Sequence, residues 1–235
     1  MKLNVLVACE YSGIVRDEFL KLGHNAISCD LLPCESTTFK DKSLHYQGDI
    51  FDILNGKAAA EYQFLNSIKW DLLIAHPPCT HLSVSGARWF PPHTKPHQAG
   101  YKDPQLRIEA LQFVQDLLNQ DIPHICLENP VSIISSKIRK PNQTIQPYQF
   151  GHPEQKRTCL WLKNLPLLTE TNNVKQYMMT LPKKLRHRIH WLGSNKGKER
   201  SKFYTGIAKA MANQYSNYIL NKPKTIFEFQ GAFNE

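Results

Sequence analysis

No uninterrupted apolar run in these 235 residues approaches membrane-spanning length, and no basic leader precedes an apolar stretch with a small-residue cleavage site. The expectation is a soluble, cytoplasmic protein without a membrane partner. Paired cysteines are missing as well. Cys9, Cys29, Cys34, Cys79, Cys126 and Cys159 are dispersed, several inside apparent strands, without zinc-type spacing, so reduced thiols are expected rather than a disulfide framework. Acids are the scarce charge: 20 Asp and Glu stand against 29 Lys and Arg, a formal charge of +9, which favours a polyanionic partner. No internal repeat or low-complexity segment is present. The length suits one main α/β domain with at most a small appendage.

What is present reads as a wound α/β chain. Leu3 to Ala8 is a short apolar strand, and Gly13 to Leu22 follows with Ile14, Phe19 and Leu22 near helical spacing. Asn25 to Ser28 is a second strand ending at Cys29 and Asp30, and Gly48, Asp49 and Ile50 stand at a later element boundary. Trp70 to Ala75 is a buried strand that runs through His76, Pro77 and Pro78 into Cys79. Pro104 to Leu118 carries Ala110, Leu111, Phe113, Val114, Leu117 and Leu118 at helical spacing. Pro123 to Leu127 is a strand entering Glu128, Asn129 and Pro130; Thr158 to Leu162 is another; Gly206 to Leu220 is a closing helix with Ile207, Met211, Tyr215 and Ile219 on one face.

In an open parallel sheet, ligands bind beyond the carboxyl ends of the strands. A thiol fixed there by a stiff Pro-Pro turn faces the substrate, which makes Cys79 the candidate nucleophile. Glu128 ends a neighbouring strand, and the pair suggests a thiolate and a carboxyl group meeting over one reactant. Each piece also has an ordinary explanation. Cys79 would otherwise be an inert small hydrophobe, Glu128 a capping carboxylate, and Cys9 to Gly13 a tight turn without the full dinucleotide fingerprint. Asp30 and Asp49 read either as strand-end caps or as acids facing a ribose and an adenine.

His76, Cys79, His81, His93 and His97 cluster in sequence without a regular ligand framework, so no metal is expected. His76 is read as lining the site or making an ordinary hydrogen bond. The polar stretch from Thr80 to Pro104 reads as an active-site loop, with Arg88, Trp89 and Phe90 either closing over a strand or anchoring the loop. Between Lys175 and Lys202 the residues Lys183, Lys184, Arg186, Arg188, Lys196, Lys198 and Arg200 face the single acid Glu199, which suits either a phosphate-contacting surface or a solvated loop.

Taken in order, Cys9 to Gly13, Pro77-Pro78-Cys79, Glu128-Asn129-Pro130-Val131 and Gln155-Lys156-Arg157 resemble the C5-cytosine DNA methyltransferase family, in a compact, phage-like form. Tyr204 to Ala208 resembles that family's closing segment. The resemblance implies an α/β, Rossmann-like S-adenosylmethionine-dependent methyltransferase fold with a mostly parallel sheet. It implies S-adenosylmethionine as cofactor, met by Glu10, Ser12, Gly13, Asp30, Asp49, Ile50, Pro78 and Gly206. It also implies attack of Cys79 on C6 of a DNA cytosine, with Glu128 at ring N3, Asn129 positioning the loop and Arg157 binding the base. The setting would be a bacterial or phage-infected cell.

Several positions depart from the family pattern. Thr80 stands where glutamine is usual, His76 where glycine is common, and Pro130 interrupts Glu-Asn-Val. Residues 1–165 are expected to form the catalytic domain, 166–203 a short basic insertion in place of a large recognition domain, 204–221 the closing helix and 222–235 a tail. Low sequence specificity, or specificity from a partner, follows. Two other functions remain open: methylation of an exocyclic amino group, and a catalytically silent DNA-binding protein on the same scaffold.

Overall fold

The computed structural model describes residues 1–192 and 196–221. The tail expected from Lys222 lies outside them. The first half runs β1 (Asn4–Ala8), α1 (Ile14–Lys21), β2 (Asn25–Asp30), β3 (His45–Gln47), α2 (Ile50–Leu54), β4 (Leu72–Ala75) and α3 (Pro104–Leu118), where β3 and α2 occupy a stretch read only as a loop and an element boundary. Then follow β5 (His124–Pro130), α4 (Ile134–Lys137), β6 (Gln143–Ile145) and β7 (Thr158–Lys163). Four short helices, α5 (Lys175–Thr180), α6 (Lys183–Arg186), α7 (Arg188–Trp191) and α8 (Gly197–Ser201), lead into α9 (Thr205–Asn221).

The seven strands form one sheet in the order β3-β2-β1-β4-β5-β7-β6. β3, β2, β1, β4 and β5 are parallel; β7 runs antiparallel between β5 and β6. This is a Rossmann-like α/β fold of the methyltransferase type, with a mostly parallel sheet. Strand order reverses direction at β1 and β4, so the ligand crevice of such a sheet lies beyond their carboxyl ends.

Period-two alternation builds a core on each face. Val5, Val7, Leu72, Ile74 and Leu160 point towards Phe19 of α1 and Ile207, Met211 and Tyr215 of α9. Leu6, Ala8, Leu73, Ala75, Ile125, Leu127 and Trp161 point towards Ile50 and Ile53 of α2, Val114 and Leu117 of α3 and Ile134 of α4. Fully burying each larger aliphatic side chain contributes about 1.5–3 kcal/mol.

The α1 face departs from its sequence reading. Leu22 is 44% exposed and lies past the helix end, whereas Arg16 is fully buried. Its guanidinium is taken up by Asp17 at 2.6 Å and by the Ser28 hydroxyl at 3.1 Å, so a charged side chain occupies a place that apolar spacing assigned elsewhere. β5 also continues beyond Leu127, because Glu128, Asn129 and Pro130 pair with Leu160, Cys159 and Thr158 of β7.

Candidate active site

Two strand ends make the centre of the site. β4 and β5 are in parallel register with Ala75 beside Leu127, so the chain leaves them side by side as His76-Pro77-Pro78-Cys79 and Glu128-Asn129. Asn129 Nδ2 donates to the Pro77 carbonyl oxygen at 2.8 Å, tying the two exits together in a buried position. Pro77 is buried, while Pro78 and Cys79 are exposed at the rim of the crevice. Cys79 begins a short turn whose carbonyl accepts from Leu82 and Ser83, so the stiff prolines and the turn fix the thiol from both sides.

Glu128 is nearly buried, and its Oε2 lies 3.1 Å from His76 Nδ1. The thiol of Cys79 is open to solvent yet crowded by protein. That crowding is the largest influence raising its pKa, followed by the negative charge of Glu128. Lys156 and Arg200 act in the opposite direction, and Lys102 feels the Cys79 charge in turn. Cys79 and Glu128 therefore share one electrostatic neighbourhood, with three cations around it. Of these, Lys156 sits inside the Gln-Lys-Arg segment read from the sequence, but its action on Cys79 had no signal there. Lys102 closes the far end of the loop, its Nζ donating to the Thr80 carbonyl at 2.7 Å.

Arg157 is exposed immediately before β7, beside the end of β5, because Thr158 pairs with Pro130. The active-site loop is anchored through Phe90, which is buried beneath the Arg107 guanidinium at 3.7 Å from the ring centroid. Arg88 is exposed over the Trp89 ring. The histidines of this region diverge: His76 turns to Glu128 and His81 to the Phe90 ring, and among the described residues no metal-ligand cluster forms.

Of the candidate cofactor residues, Glu10, Ser12 and Gly13 follow β1, Asp30 ends β2, and Asp49 and Ile50 follow β3, while Pro78 follows β4 and Gly206 lies in the first turn of α9. Cys9 takes a left-handed backbone at φ 58°, and Gly13 follows at φ 70°. A side chain at Gly13 would collide with the Arg16 guanidinium and with Ser36. Glu10 is turned inward: its carboxylate accepts from Val15 N at 2.6 Å and Arg16 N at 3.2 Å, capping α1 as an anion suits a helix amino end. Burial pushes the Glu10 carboxyl up, opposed first by the charge of His76 and then by those N–H groups. The Ser12 hydroxyl accepts from Ile14 N at 3.3 Å in the same cap.

Asp30 receives the Leu32 N–H at 2.9 Å on one oxygen. Asp49 is exposed and caps α2 by accepting from Phe51 N at 3.0 Å, with Ile50 buried beside it. Burial, then Asp30 and Asp49, push the Cys9 thiol up to about 12, so both acids reach the first turn. Gly206 has a packing reason of its own. A Cβ there would lie 1.9 Å from the Phe150 carbonyl oxygen, and its N–H donates to His152 Nε2 at 2.9 Å.

The basic insertion is less free than its sequence suggests. Acids distant in the chain come to meet it: Glu154 pairs with Arg188 at 2.9 Å, and Glu35 with Lys198 at 3.5 Å and Lys202 at 3.1 Å. Arg186 packs against Met179, whereas Lys183, Lys184, Lys196 and Arg200 remain exposed. Residues 196–203 lie as a strap over the first turn. The Tyr11 hydroxyl donates to Lys198 O at 2.5 Å, the Lys156 ammonium to Arg200 O at 3.2 Å, and the Phe203 ring rests 4.7 Å from that of His76. A cavity of about 620 Å³ opens beside the strap, lined by Glu35, Arg188, Lys198, Lys202 and Tyr204 among others. Phe203 carried no sequence signal, since a single aromatic in a basic run has no period to mark its contact.

Fold and site together define a methyltransferase-type scaffold with a cysteine and a carboxyl group at adjoining strand ends. No family model matches the sequence, and no curated protein does. Among solved structures, the chain is similar to a prophage-encoded E. coli protein assigned as a DNA modification methyltransferase. That match has 16% identity and a TM-score of 0.40, covering 68% of this chain and 46% of that one. It is also similar to S. pombe Dnmt2 methyltransferase at 17% identity and a TM-score of 0.34, covering 83% of this chain and 60% of that one. The chain thus spans less than two thirds of either structure, and neither likeness bears on chemistry.

Proposed function

We propose that this protein transfers a methyl group from S-adenosylmethionine to C5 of cytosine in DNA, with Cys79 as nucleophile. The observation that carries the reading is the Asn129 to Pro77 hydrogen bond, which holds the Cys79 turn against the strand end that bears Glu128. The serial order of the sequence motifs and the net positive charge support it.

C5 of cytosine is a poor nucleophile until sulfur adds at C6. In that step the Cys79 thiolate forms the S–C6 bond, the ring electrons shift towards N3, and Glu128 gives N3 a proton. A methyl group on a sulfonium centre is the electrophile that the bound cofactor supplies. Water takes the C5 proton, the C5–H pair re-forms the C5–C6 π bond, and Cys79 leaves as thiolate. Lys156, Arg200 and Lys102 favour the thiolate form against burial and Glu128. Arg157 would meet the base, and the loop from Thr80 to Pro104 would enclose it once the base leaves the stack.

The residues fit the cofactor. The charges of Asp30 and of exposed Asp49 both reach the first turn, where Cys9 and Gly13 take left-handed backbone, and these acids would accept from the ribose and the adenine. Glu10 and Ser12 would act by shaping that turn, and Pro78, Ile50 and Gly206 by bounding it. DNA phosphates would meet Arg88, Lys183, Lys184, Lys196 and Arg200, with Arg186, Arg188 and Lys198 contributing only as their internal contacts open.

Mass spectrometry of nucleosides from DNA incubated with protein and S-adenosylmethionine tests the reading. Deoxycytidine methylated at C5 is the expected product. An N-methylated base would favour the exocyclic reaction instead. A second reading, a silent DNA-binding protein, draws on one observation: burial and Glu128 both raise the Cys79 pKa. DNA binding without any methylated product would favour it.

A further inference from the structure

His76 stands between the two catalytic strand ends and is held on three sides. Its peptide N–H donates to Ala8 O at 3.0 Å, its ring packs on Phe203, and Nδ1 faces Glu128 Oε2 at 3.1 Å. The pair is nearly enclosed, with side-chain exposures of 12% and 11%. Nε2 is buried and has no partner among the described residues. Two carboxyl groups act on the ring, Glu128 from β5 and Glu10 from the turn after β1, and the strap meets it through uncharged Phe203.

Resting on the reading above, we propose that His76 is a positioning residue for Glu128: Nδ1 fixes the carboxyl orientation and balances the charge left when Glu128 protonates the cytosine ring. An enclosed carboxyl with one fixed partner keeps a single rotamer, so its other oxygen is directed at the base. A glycine at this place leaves that oxygen to water or to a neighbour.

The proton bookkeeping is closed. As sulfur bonds to C6, the C5–C6 π pair moves between C4 and C5, and the C4–N3 π pair moves onto N3. N3 takes the proton from Glu128, and the resulting carboxylate accepts the Nδ1–H hydrogen bond of His76. When sulfur leaves, N3 returns its proton to Glu128. No other reactant is needed for this exchange, because His76 acts through the hydrogen bond and keeps its own proton count.

His76→Asn keeps an N–H donor near the Nδ1 position, whereas His76→Ala removes it. Labelled methyl transfer into DNA is measured for both, with thermal melts to verify folding. His76→Ala is expected to lower kcat by on the order of tenfold or more with KM changed little, and His76→Asn to recover most of the loss. Equal rates for wild type and both variants, or equal losses in both folded variants, would overturn the proposal. A readout without turnover separates this from failure of the proposed function. In wild type the His76 ring nitrogens should show Nδ1 protonated and hydrogen-bonded by ¹⁵N NMR, and Glu128→Ala should shift those signals. Ring signals unmoved by Glu128→Ala would overturn the pairing even if no DNA is methylated, and shifted signals without methylation would reject the reaction alone.

Discussion

Asn129 Nδ2 and the Pro77 carbonyl oxygen meet at 2.8 Å across the gap between β5 and β4, and this bond fixes where the Cys79 sulfur stands relative to Glu128. Pro77 has no N–H to donate to a ladder beyond β4, and its buried carbonyl oxygen is satisfied by a side-chain amide instead of a backbone N–H. Asn129→Ala leaves a buried carbonyl without its donor, at a cost of about 1–3 kcal/mol. The expected result is a lowered melting temperature together with methyl transfer reduced more than cofactor affinity, measured by calorimetric titration and labelled transfer. Unchanged transfer in a destabilised variant would show that the bond serves only the fold.

Cys79 is the one exposed cysteine of the six, with Cys9 and Cys34 half-buried, so alkylation by iodoacetamide is read at Cys79 by peptide mass spectrometry. Its pKa is raised, so the thiolate fraction and the alkylation rate should climb with pH beyond the range of an ordinary thiol. The signs of its neighbours separate two roles. Glu128→Gln removes an anion that raises the pKa and should speed alkylation about threefold near pH 8, while abolishing methyl transfer. Lys156→Met removes a cation that lowers it and should slow both. Alkylation unaffected by either change would mean that neither group lies within electrostatic reach of the sulfur.

The strap should be held by salt-sensitive contacts. Lys202 and then Lys198 hold the exposed Glu35 carboxyl below the usual carboxylate range. A depressed carboxyl contributes above its unfolded pKa, and the contribution is lost as pH falls through the lowered folded value. Exposed pairs of this kind are individually weak and screened. Tryptic cleavage after Lys198 and Lys202 should therefore quicken roughly threefold in Glu35→Gln, with a similar gain for wild type in about 0.5 M salt. Cleavage indifferent to both would show that the strap is held by its Tyr11, Lys156 and Phe203 contacts rather than by the Glu35 pairs.

The strands and long helices were legible because their signals are local. Continuous apolar runs marked β1 and β4, and the 3.6-residue period of Ile207, Met211 and Tyr215 marked α9, all three of which are fully buried. Three-residue β3 and β6 have too few positions to alternate, and β6 exists through pairing with β7, distant in type and direction from any local cue. The strand read as ending at Leu127 continues to Pro130, because β7 supplies the pairing for Glu128, Asn129 and Pro130. The site was legible as strand-end residues. Its partnerships were not, because His76 with Glu128 and Glu35 with Lys202 join residues far apart in the chain. Arg16 shows the same limit from the core, where Asp17 balances its buried charge and Ser28 accepts a hydrogen bond, an arrangement that apolar spacing does not signal.

The central claim is a bond between the Cys79 sulfur and C6 of cytosine. DNA carrying 5-fluorocytosine tests it directly, because fluorine at C5 cannot leave as a proton does and the adduct persists. With S-adenosylmethionine present, wild type should form a denaturant-stable protein–DNA complex whose peptide map places the base on Cys79, and Cys79→Ala should form none. Methylated cytosine made by Cys79→Ala, or a stable adduct on any other residue, would contradict the account.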